Sequence, residues 1–255
     1  MTKRITPARM VAVLAAVAGL LTPAIASAQI RQVSSSSSGE GAQTINFTIG
    51  YFALKGLDSR VSDDVLFNDL QSDEPLLLVP CGCSDSISDF NSVITGGEYL
   101  LRVVPHVEVG AGVSFYQRTV PSVYANLTHP DNSDITQDLK LRAVPVTFTA
   151  RFLPLANDAA IQPYVGVGVV AIRWRYSETG DFVDANNSIF SARYVDTGTA
   201  VGPTVLAGVR APFGGAVAGA EVRWQRAQGS GLLSQGFLGD KIDLGGWTTN
   251  FTLGW

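Results

Sequence analysis

The chain has 255 residues, of which 16% are charged and 46% hydrophobic, and its 18 basic and 22 acidic residues give a net charge of −4. That charge fraction lies well below the roughly 25% usual for soluble domains, and the acidic balance excludes the basic footprint of a nucleic-acid-binding protein. Two cysteines and two histidines leave little material for a metal shell or a histidine-based catalytic centre.

The chain opens with Lys3, Arg4 and Arg9, an apolar run from Met10 to Leu21, Pro23, and the small-residue site Ala26-Ser27-Ala28. This is the pattern of a secretory signal peptide over residues 1–28, with cleavage expected after Ala28. The apolar run is too short to span a bilayer, which takes about 20 helical residues. Removing it takes three of the 18 basic residues and none of the 22 acidic ones, so the mature net charge is expected to be −7. A Ser-rich stretch, Ser34 to Ser38, marks residues 29–42 as a flexible lead-in. Residues 43–255 then form one domain.

Eight segments of that domain alternate apolar and polar residues with the period of two that a strand with unlike faces requires. They run over about 43–55, 97–105, 106–117, 139–153, 161–176, 199–211, 215–227 and 241–255. Ile45, Phe47, Ile49 and Tyr51 share one parity in the first, Val107, Val109, Ala111, Val113 and Phe115 in the third, and Val144, Val146, Phe148, Ala150 and Phe152 in the fourth. In the fifth, Val165, Val167 and Val169 give way to Ile172, Trp174 and Tyr176, a change of phase that predicts a bulge near Val170. The last segment keeps its alternation through Trp247, Thr249, Phe251, Leu253 and Trp255. An alternating terminus is expected to be paired on both sides, which a closed sheet provides.

The connections alternate too. Those at 105–106, 154–160 and 212–214 are short, and those at 56–96, 118–138, 177–198 and 228–240 are long. Short turns at one end and long loops at the other are the pattern of an outer-membrane barrel. No run after Leu21 is apolar enough for a membrane helix, and closed barrels are the other structure able to span a bilayer. A soluble eight-stranded calyx would carry its polar stripe in water. Here that stripe is built of Gly, Thr, Ser and Asn with a few Arg and Glu, which suits a narrow lumen better than a water-exposed wall. The fold class is therefore all-β, an eight-stranded antiparallel up-and-down transmembrane barrel with short periplasmic turns and long extracellular loops. Trp174, Tyr176, Trp224, Trp247 and Trp255 are expected in its aromatic girdles.

The stretches Pro163 to Val169 (PYVGVGV) and Ala218 to Trp224 (AGAEVRW), together with the aromatic-ended last strand, resemble the OmpA/OmpW-type small outer-membrane barrels. The resemblance covers roughly residues 43 to 255, most clearly from about 139 onward, and its motifs are generic to such walls. It implies that Trp255 belongs to the signal read by the barrel-assembly machinery, although Phe is the more usual residue there, and the first loop is long for that family.

Inward parity places Arg102, Glu108, Arg151, Arg210, Glu221 and Arg223 in the lumen. Each glutamate should find an arginine, because a buried ion must be paired or solvated. The two readings are a structural polar plug and a narrow solute path, the second kept open by the many inward glycines. Cys81-Gly82-Cys83, in the first loop, reads first as a local disulfide in an oxidising exterior, then as a reactive thiol pair, and last as half a metal site. The neighbouring Leu76-Leu77-Leu78-Val79 is a candidate cap for the barrel mouth. The first loop is acidic, with Asp58, Asp63, Asp64, Asp69, Asp73, Glu74, Asp85 and Asp89 against Arg60, which keeps it soluble or gathers divalent cations at a lipopolysaccharide surface. His129, Asp131 and Ser133 are superficially the ingredients of a nucleophile and its base, but a Pro- and Asp-rich loop holds a triad poorly. His106 reads as a turn residue.

The expected function is that of an integral outer-membrane protein with a structural or surface role, passive passage of small solutes being left open. The alternatives are an OmpW-like channel for small hydrophobic molecules and an adhesin acting through its loops. No catalysis, cofactor or nucleic acid is expected. Outer-membrane lipid, lipopolysaccharide and the barrel-assembly machinery are the expected partners of a monomer.

Overall fold

A computed structural model of the chain describes residues 42–55, 60, 62–75, 87–155, 159–213 and 215–255. The expected signal peptide, the Ser-rich segment up to residue 41, Leu76 to Val79, Cys81 and Cys83 lie outside the described residues. In chain order the elements are β1 (Gln43–Leu54), α1 (Val65–Ser72), β2 (Asp73–Pro75), a 3-10 turn (Ile87–Phe90), β3 (Ser92–Val104), β4 (Val107–Thr128), β5 (Asp134–Phe152), β6 (Gln162–Val183), β7 (Ile189–Phe213), β8 (Ala216–Gln225), β9 (Gln228–Ser230), a second 3-10 turn (Leu232–Gln235), β10 (Lys241–Asp243) and β11 (Gly246–Gly254).

Eight of these strands close into a ring, β1-β3-β4-β5-β6-β7-β8-β11 and back to β1, every neighbour antiparallel. The ring is sealed by β1 and β11, from Leu54 opposite Gly246 to Asn46 opposite Gly254. Beyond that ladder the backbones of Ile45 and Trp255 exchange both hydrogen bonds, at 3.1 and 3.2 Å.

The wall's outer face is apolar at mid-height. Ile45, Phe47, Ile49, Val113, Phe115, Val146, Phe148, Val165, Val167, Val169, Val201, Val205, Val209, Phe251 and Leu253 are all exposed on it. On β7 the apolar outward run from Val201 to Phe213 rises about 30 Å at ~3.3 Å per residue and a tilt of about 40°. That matches the hydrocarbon thickness, and lipid is the solvent in which such a face is stable. Among the described residues no helix is long and apolar enough to cross a membrane. The molecule is a transmembrane eight-stranded barrel. Trp224 and Trp247, cross-strand partners at the upper edge of the band, and Trp255 at its lower edge face outward, as girdle residues should.

Four features depart from the reading of the sequence. First, β6 has no bulge near Val170: its pairing with β5 runs unbroken from Phe152 opposite Val165 to Gln137 opposite Gly180, and its pairing with β7 from Gln162 opposite Arg210 to Val183 opposite Ile189. What changes along the strand is its surroundings. The inward stripe passes from Tyr164, Gly166 and Gly168 to Val170, Ile172, Trp174 and Tyr176, while the outward stripe passes from Val165, Val167 and Val169 to Arg173 and Arg175.

Second, Trp174 and Tyr176 are accordingly inside the barrel, 1% and 0% exposed, and not in a girdle. Third, the segments 118–138 and 177–198 are not long loops. The strands run on through them, and the chain reverses in tight turns at 129–133 and 184–188. Both turns close in the same way: His129 N–H bonds to Ser133 O and Asn132 N–H to His129 O, as Asp184 N–H bonds to Ser188 O and Asn187 N–H to Asp184 O. Asn132 and Asn187 take the positive φ values, 66° and 61°, that such a turn requires and that Asn tolerates. Fourth, the loop expected at 228–240 is wider, 226–245, because 241–243 belongs to the short β9–β10 ribbon and not to the last wall strand.

Strands β4 to β7 thus stand taller than the rest of the ring. The free edge of upper β4 is covered by β2, with Asp73 to Pro75 opposite Ser122 to Tyr124, and upper β7 is met by Arg226, whose N–H bonds to Pro203 O at 3.1 Å. Covered edges do not template aggregation. The interior of this upper part is apolar: Leu139, Leu141, Val170, Ile172, Trp174 and Tyr176 from the wall enclose Val65 and Leu66 of α1, Ile87 and Phe90 of the first 3-10 turn, and Leu232, Phe237, Ile242 and Leu244 of the last loop. The helix exists because Asp64 caps it, its carboxylate accepting the Leu66 N–H at 2.9 Å.

Leu141→Ala removes a fully buried side chain from this interior and is expected to cost about 2–5 kcal/mol, because a protein-walled cavity stays open. Val167→Ala on the lipid face is expected to cost no more than the transfer value, about 1.5 kcal/mol, since lipid closes on the gap. Urea unfolding of the two variants in lipid vesicles, followed by tryptophan fluorescence, checks the contrast.

Candidate functional site

In the membrane-spanning half the lumen is crossed by charge. The six residues expected there, Arg102, Glu108, Arg151, Arg210, Glu221 and Arg223, all point inward, and a seventh, Glu98 of β3, joins them. Glu98 is missed by the sequence reading although it shares the parity of Arg102. It lies at the very start of the segment read as a strand, beside Gly96 and Gly97, and the true strand begins earlier, at Ser92.

The network has two tiers. In the lower one Glu108 of β4 is held by two arginines: Arg210 of β7 grips it with both Nη atoms, at 3.0 and 2.6 Å, and Arg102 of β3 donates from Nη2 at 2.6 Å and Nε at 3.2 Å. Gln162 accepts from Arg210 Nε at 3.1 Å. In the upper tier Arg151 of β5 donates through Nη2 to Glu98 at 2.5 Å and to Glu221 of β8 at 2.8 Å. Arg223 donates to Glu221 at 2.7 and 3.1 Å and to Thr147 at 3.3 Å, and the Tyr164 hydroxyl donates to Glu221 at 3.2 Å. The Arg151 guanidinium also lies 4.9 Å from the centre of the Tyr164 ring.

β5 and β8, like β4 and β7, stand three places apart in an eight-place ring. These contacts therefore span the bore and do not merely line it. Four arginines against three glutamates leave one net positive charge, and charge-assisted, partly bidentate bonds offset the desolvation of each group.

The inward glycines do not open a path. Tyr164 lies over Gly208 so closely that a Cβ there would come within 2.5 Å of its ring, and Leu206 lies over Gly166 at 2.9 Å from the same imagined atom. Glycine at these positions makes room for the side chain of its cross-strand partner to lie over it, so the space is filled. Between Glu98, Thr147, Arg223 and Asn250 a space of about 20 Å³ remains, enough for one water molecule.

Above the charged tiers the apolar interior is fastened by a latch between the first and last loops. Arg60 pairs with Asp64 at 2.7 Å and donates to Asp243 O at 2.7 Å, Lys55 pairs with Asp243 at 2.9 Å, and Asp243 N–H donates to Asp64 at 3.1 Å. At the surface Lys241 pairs with Asp63 at 2.7 Å. Two of the acidic residues read as a soluble or cation-gathering loop are thus engaged by lysine and arginine. Burial pushes the Asp64 carboxyl above the usual range despite Arg60. Burial acts on Asp243 in the same sense, but hydrogen bonds from Lys55, Gly245 N–H and Gln228 outweigh it and hold the group below that range.

The remaining candidates fall apart as chemistry. Ser133 donates to Asp131 at 2.7 Å, while His129 faces Asp181 at 3.5 Å, so no relay links His129 to Ser133. His106 Nδ1 lies 2.8 Å from Leu153 O, which ties its turn to the segment that follows β5. Among the described residues no group of His, Cys, Asp and Glu is arranged to hold a metal.

No protein-family model matches the chain, and no curated protein matches it in sequence. Among solved structures it is similar to the outer membrane protein OprG from Pseudomonas aeruginosa (14% identity, TM-score 0.47, covering 86% of this chain and 99% of that one). It is also similar to the N-terminal β-barrel domain of OprF from the same organism (10%, 0.39, 84% and 98%) and to Ail, the attachment invasion locus protein of Yersinia pestis (12%, 0.40, 85% and 97%). At these identities and TM-scores the likeness is one of overall architecture and carries no role over to this chain.

Two predictions follow from the geometry. Arg151→Met removes the nearest cation of buried Glu98 and one of the two arginines on buried Glu221, and should cost about 3–5 kcal/mol in unfolding experiments in vesicles. For the latch, Asp243 is depressed in the folded state, so its contribution is present above its unfolded value, about 3.9, and is lost as pH falls through the lower folded value. Asp64, raised by burial, works in the opposite sense, its contribution fading as pH rises. The parent protein is therefore expected to lose hydrogen-exchange protection in residues 226–245 below about pH 4, and Asp243→Asn to remove that acid dependence.

Proposed function

We propose that this protein is an integral outer-membrane barrel that acts as a closed, structural surface protein and not as a conduit. One observation carries the reading: Arg and Glu side chains from β3, β4, β5, β7 and β8 bridge the bore in two tiers. The tall β4–β7 sheet, raised beyond the apolar band and stiffened by its own core, adds support as a platform presented outside the cell. A channel for hydrophobic molecules needs an opening through the wall. The ladders at mid-height keep a single register: the shifts lie at Arg102/Val104 beside a turn and at Val123/Thr128 near the outer tip, and the β4–β5 pairing, which lapses at Ser114 and Phe115 opposite Pro145 and Val144, resumes in the same register at Tyr116 opposite Ala143.

The purified protein in planar bilayers should show no discrete conductance steps at voltages where porins open. Stable, stepwise openings in the parent protein would reject the closed-barrel reading.

A further inference from the structure

We infer that Lys140, Arg142, Arg175 and Arg193 form a binding site on the outer wall for the phosphate of a lipid headgroup in the outer leaflet. The inference rests on the membrane reading above. The four side chains come from three adjacent strands, β5, β6 and β7, and with Ser177 they line a cleft of about 210 Å³ on the exterior.

Three features make this cleft a receiver of anions. Arg142 and Arg175 are directly opposed cross-strand partners, a like-charge juxtaposition that destabilises a sheet unless an anion sits between the heads. Lys140 and Arg193 extend the same sign along the sheet, and none of the four forms an ion pair among the described residues. Asp138, outward on β5 opposite Thr179, lies at the upper rim as the one nearby carboxylate on that stripe. The Arg142 head is also pre-positioned, donating from Nε to Gln117 at 3.3 Å and lying 5.4 Å from the Phe115 ring centre.

Height chooses the occupant. On β5 the outward stripe is Phe148, Val146, Val144, Arg142, Lys140, and on β6 it is Val167, Val169, Ala171, Arg173, Arg175. Arg142 thus stands about 13 Å along the strand above Val146, at ~3.3 Å per residue, which brings the guanidinium to the layer where headgroup phosphates lie. A cation cluster deeper would face hydrocarbon, and one higher would face bulk water. Guanidinium forks grip phosphate oxygens in pairs.

The test uses the folded full-length barrel in phosphatidylcholine nanodiscs doped with diphosphoryl lipid A or with its dephosphorylated form, native mass spectrometry counting the lipid retained. The phosphorylated lipid should be retained at least about tenfold better. Arg142→Gln combined with Arg175→Gln should remove that preference, and Arg226→Gln, on another loop, should keep it. Equal retention of both lipids by the parent protein overturns the inference. So does a preference that survives the double variant, or displacement of the lipid by millimolar inorganic phosphate, which would make the cleft a site for free phosphate. Heat-modifiable gel migration confirms that each variant is folded, and should the double variant fail to fold, the comparison of the two lipids on the parent protein still decides. Conductance is read separately, so failure of the closed-barrel reading is distinct from failure of this one.

Discussion

Every backbone N–H and C=O at membrane depth must find a partner within the protein, because hydrocarbon offers none. The rest of this structure follows from that constraint. It forces the eight strands into a ring with no edge, and it explains why the seam between β1 and β11 is carried as far as Ile45 and Trp255. Closure in turn fixes which residues share the lumen, since successive side chains must point to opposite sides of the wall. An eight-stranded ring is only wide enough for those side chains to fill it. A blocked bore is thus the default for this strand number, and the inward glycines relieve crowding within it.

The same strands cross two solvents, and the wall turns its character over where they change. Below about Val144 and Ala171 the outside is apolar and the inside polar; above, Arg142, Arg173 and Arg175 face out while Leu139, Leu141, Ile172 and Trp174 face in. Along β5–β6 and β6–β7 no backbone irregularity marks the change, and on the other side of β5 the pairing lapses only at Ser114 and Phe115 opposite Pro145 and Val144. Each half obeys the ordinary rule for its own medium, with lipid rewarding an apolar exterior and water a polar one. The upper half is in effect a small water-soluble core whose walls happen to be continuous with a membrane barrel, and the latch of Arg60, Asp64, Lys55 and Asp243 ties the first and last loops together where β1 ends.

This double character accounts for what the sequence disclosed and what it concealed. All eight wall strands were legible from their alternation, and parity alone brought Arg102, Glu108, Arg151, Arg210, Glu221 and Arg223 to one side of the wall. The apparent phase change at Val170 was misleading because alternation reports chemical contrast, not geometry: when the surroundings invert, an unbroken strand looks slipped. The same effect sent Trp174 and Tyr176 to a girdle. The extensions through 118–128 and 177–183 were hidden for a related reason, since Thr119 and Pro121 on β4 and Thr179 and Asp181 on β6 make a water-facing stripe that reads as loop. The partnership of Arg60, Asp64 and Asp243 had no signal at all, because it joins residues nearly the whole domain apart.

An apolar lumen would have satisfied the membrane half as well in burial alone, so the charged tiers call for a different reason. Replacing buried ion networks by hydrophobic residues is often neutral or stabilising, but here it would leave both faces of each strand greasy. In lipid the hydrophobic effect could not then distinguish inside from outside. A strand slipped by one residue exchanges its two faces, and with Arg and Glu on one of them the slip exposes charge to hydrocarbon at a cost of about 2–4 kcal/mol for an arginine at the midplane. Glu98, Arg102, Glu108, Arg151, Arg210, Glu221 and Arg223 span five of the eight strands, and register is fixed pairwise around a closed ring. A penalty on those five therefore constrains the others through their shared ladders. Above the membrane, water penalises the opposite error, and there the inward stripe is free to be apolar.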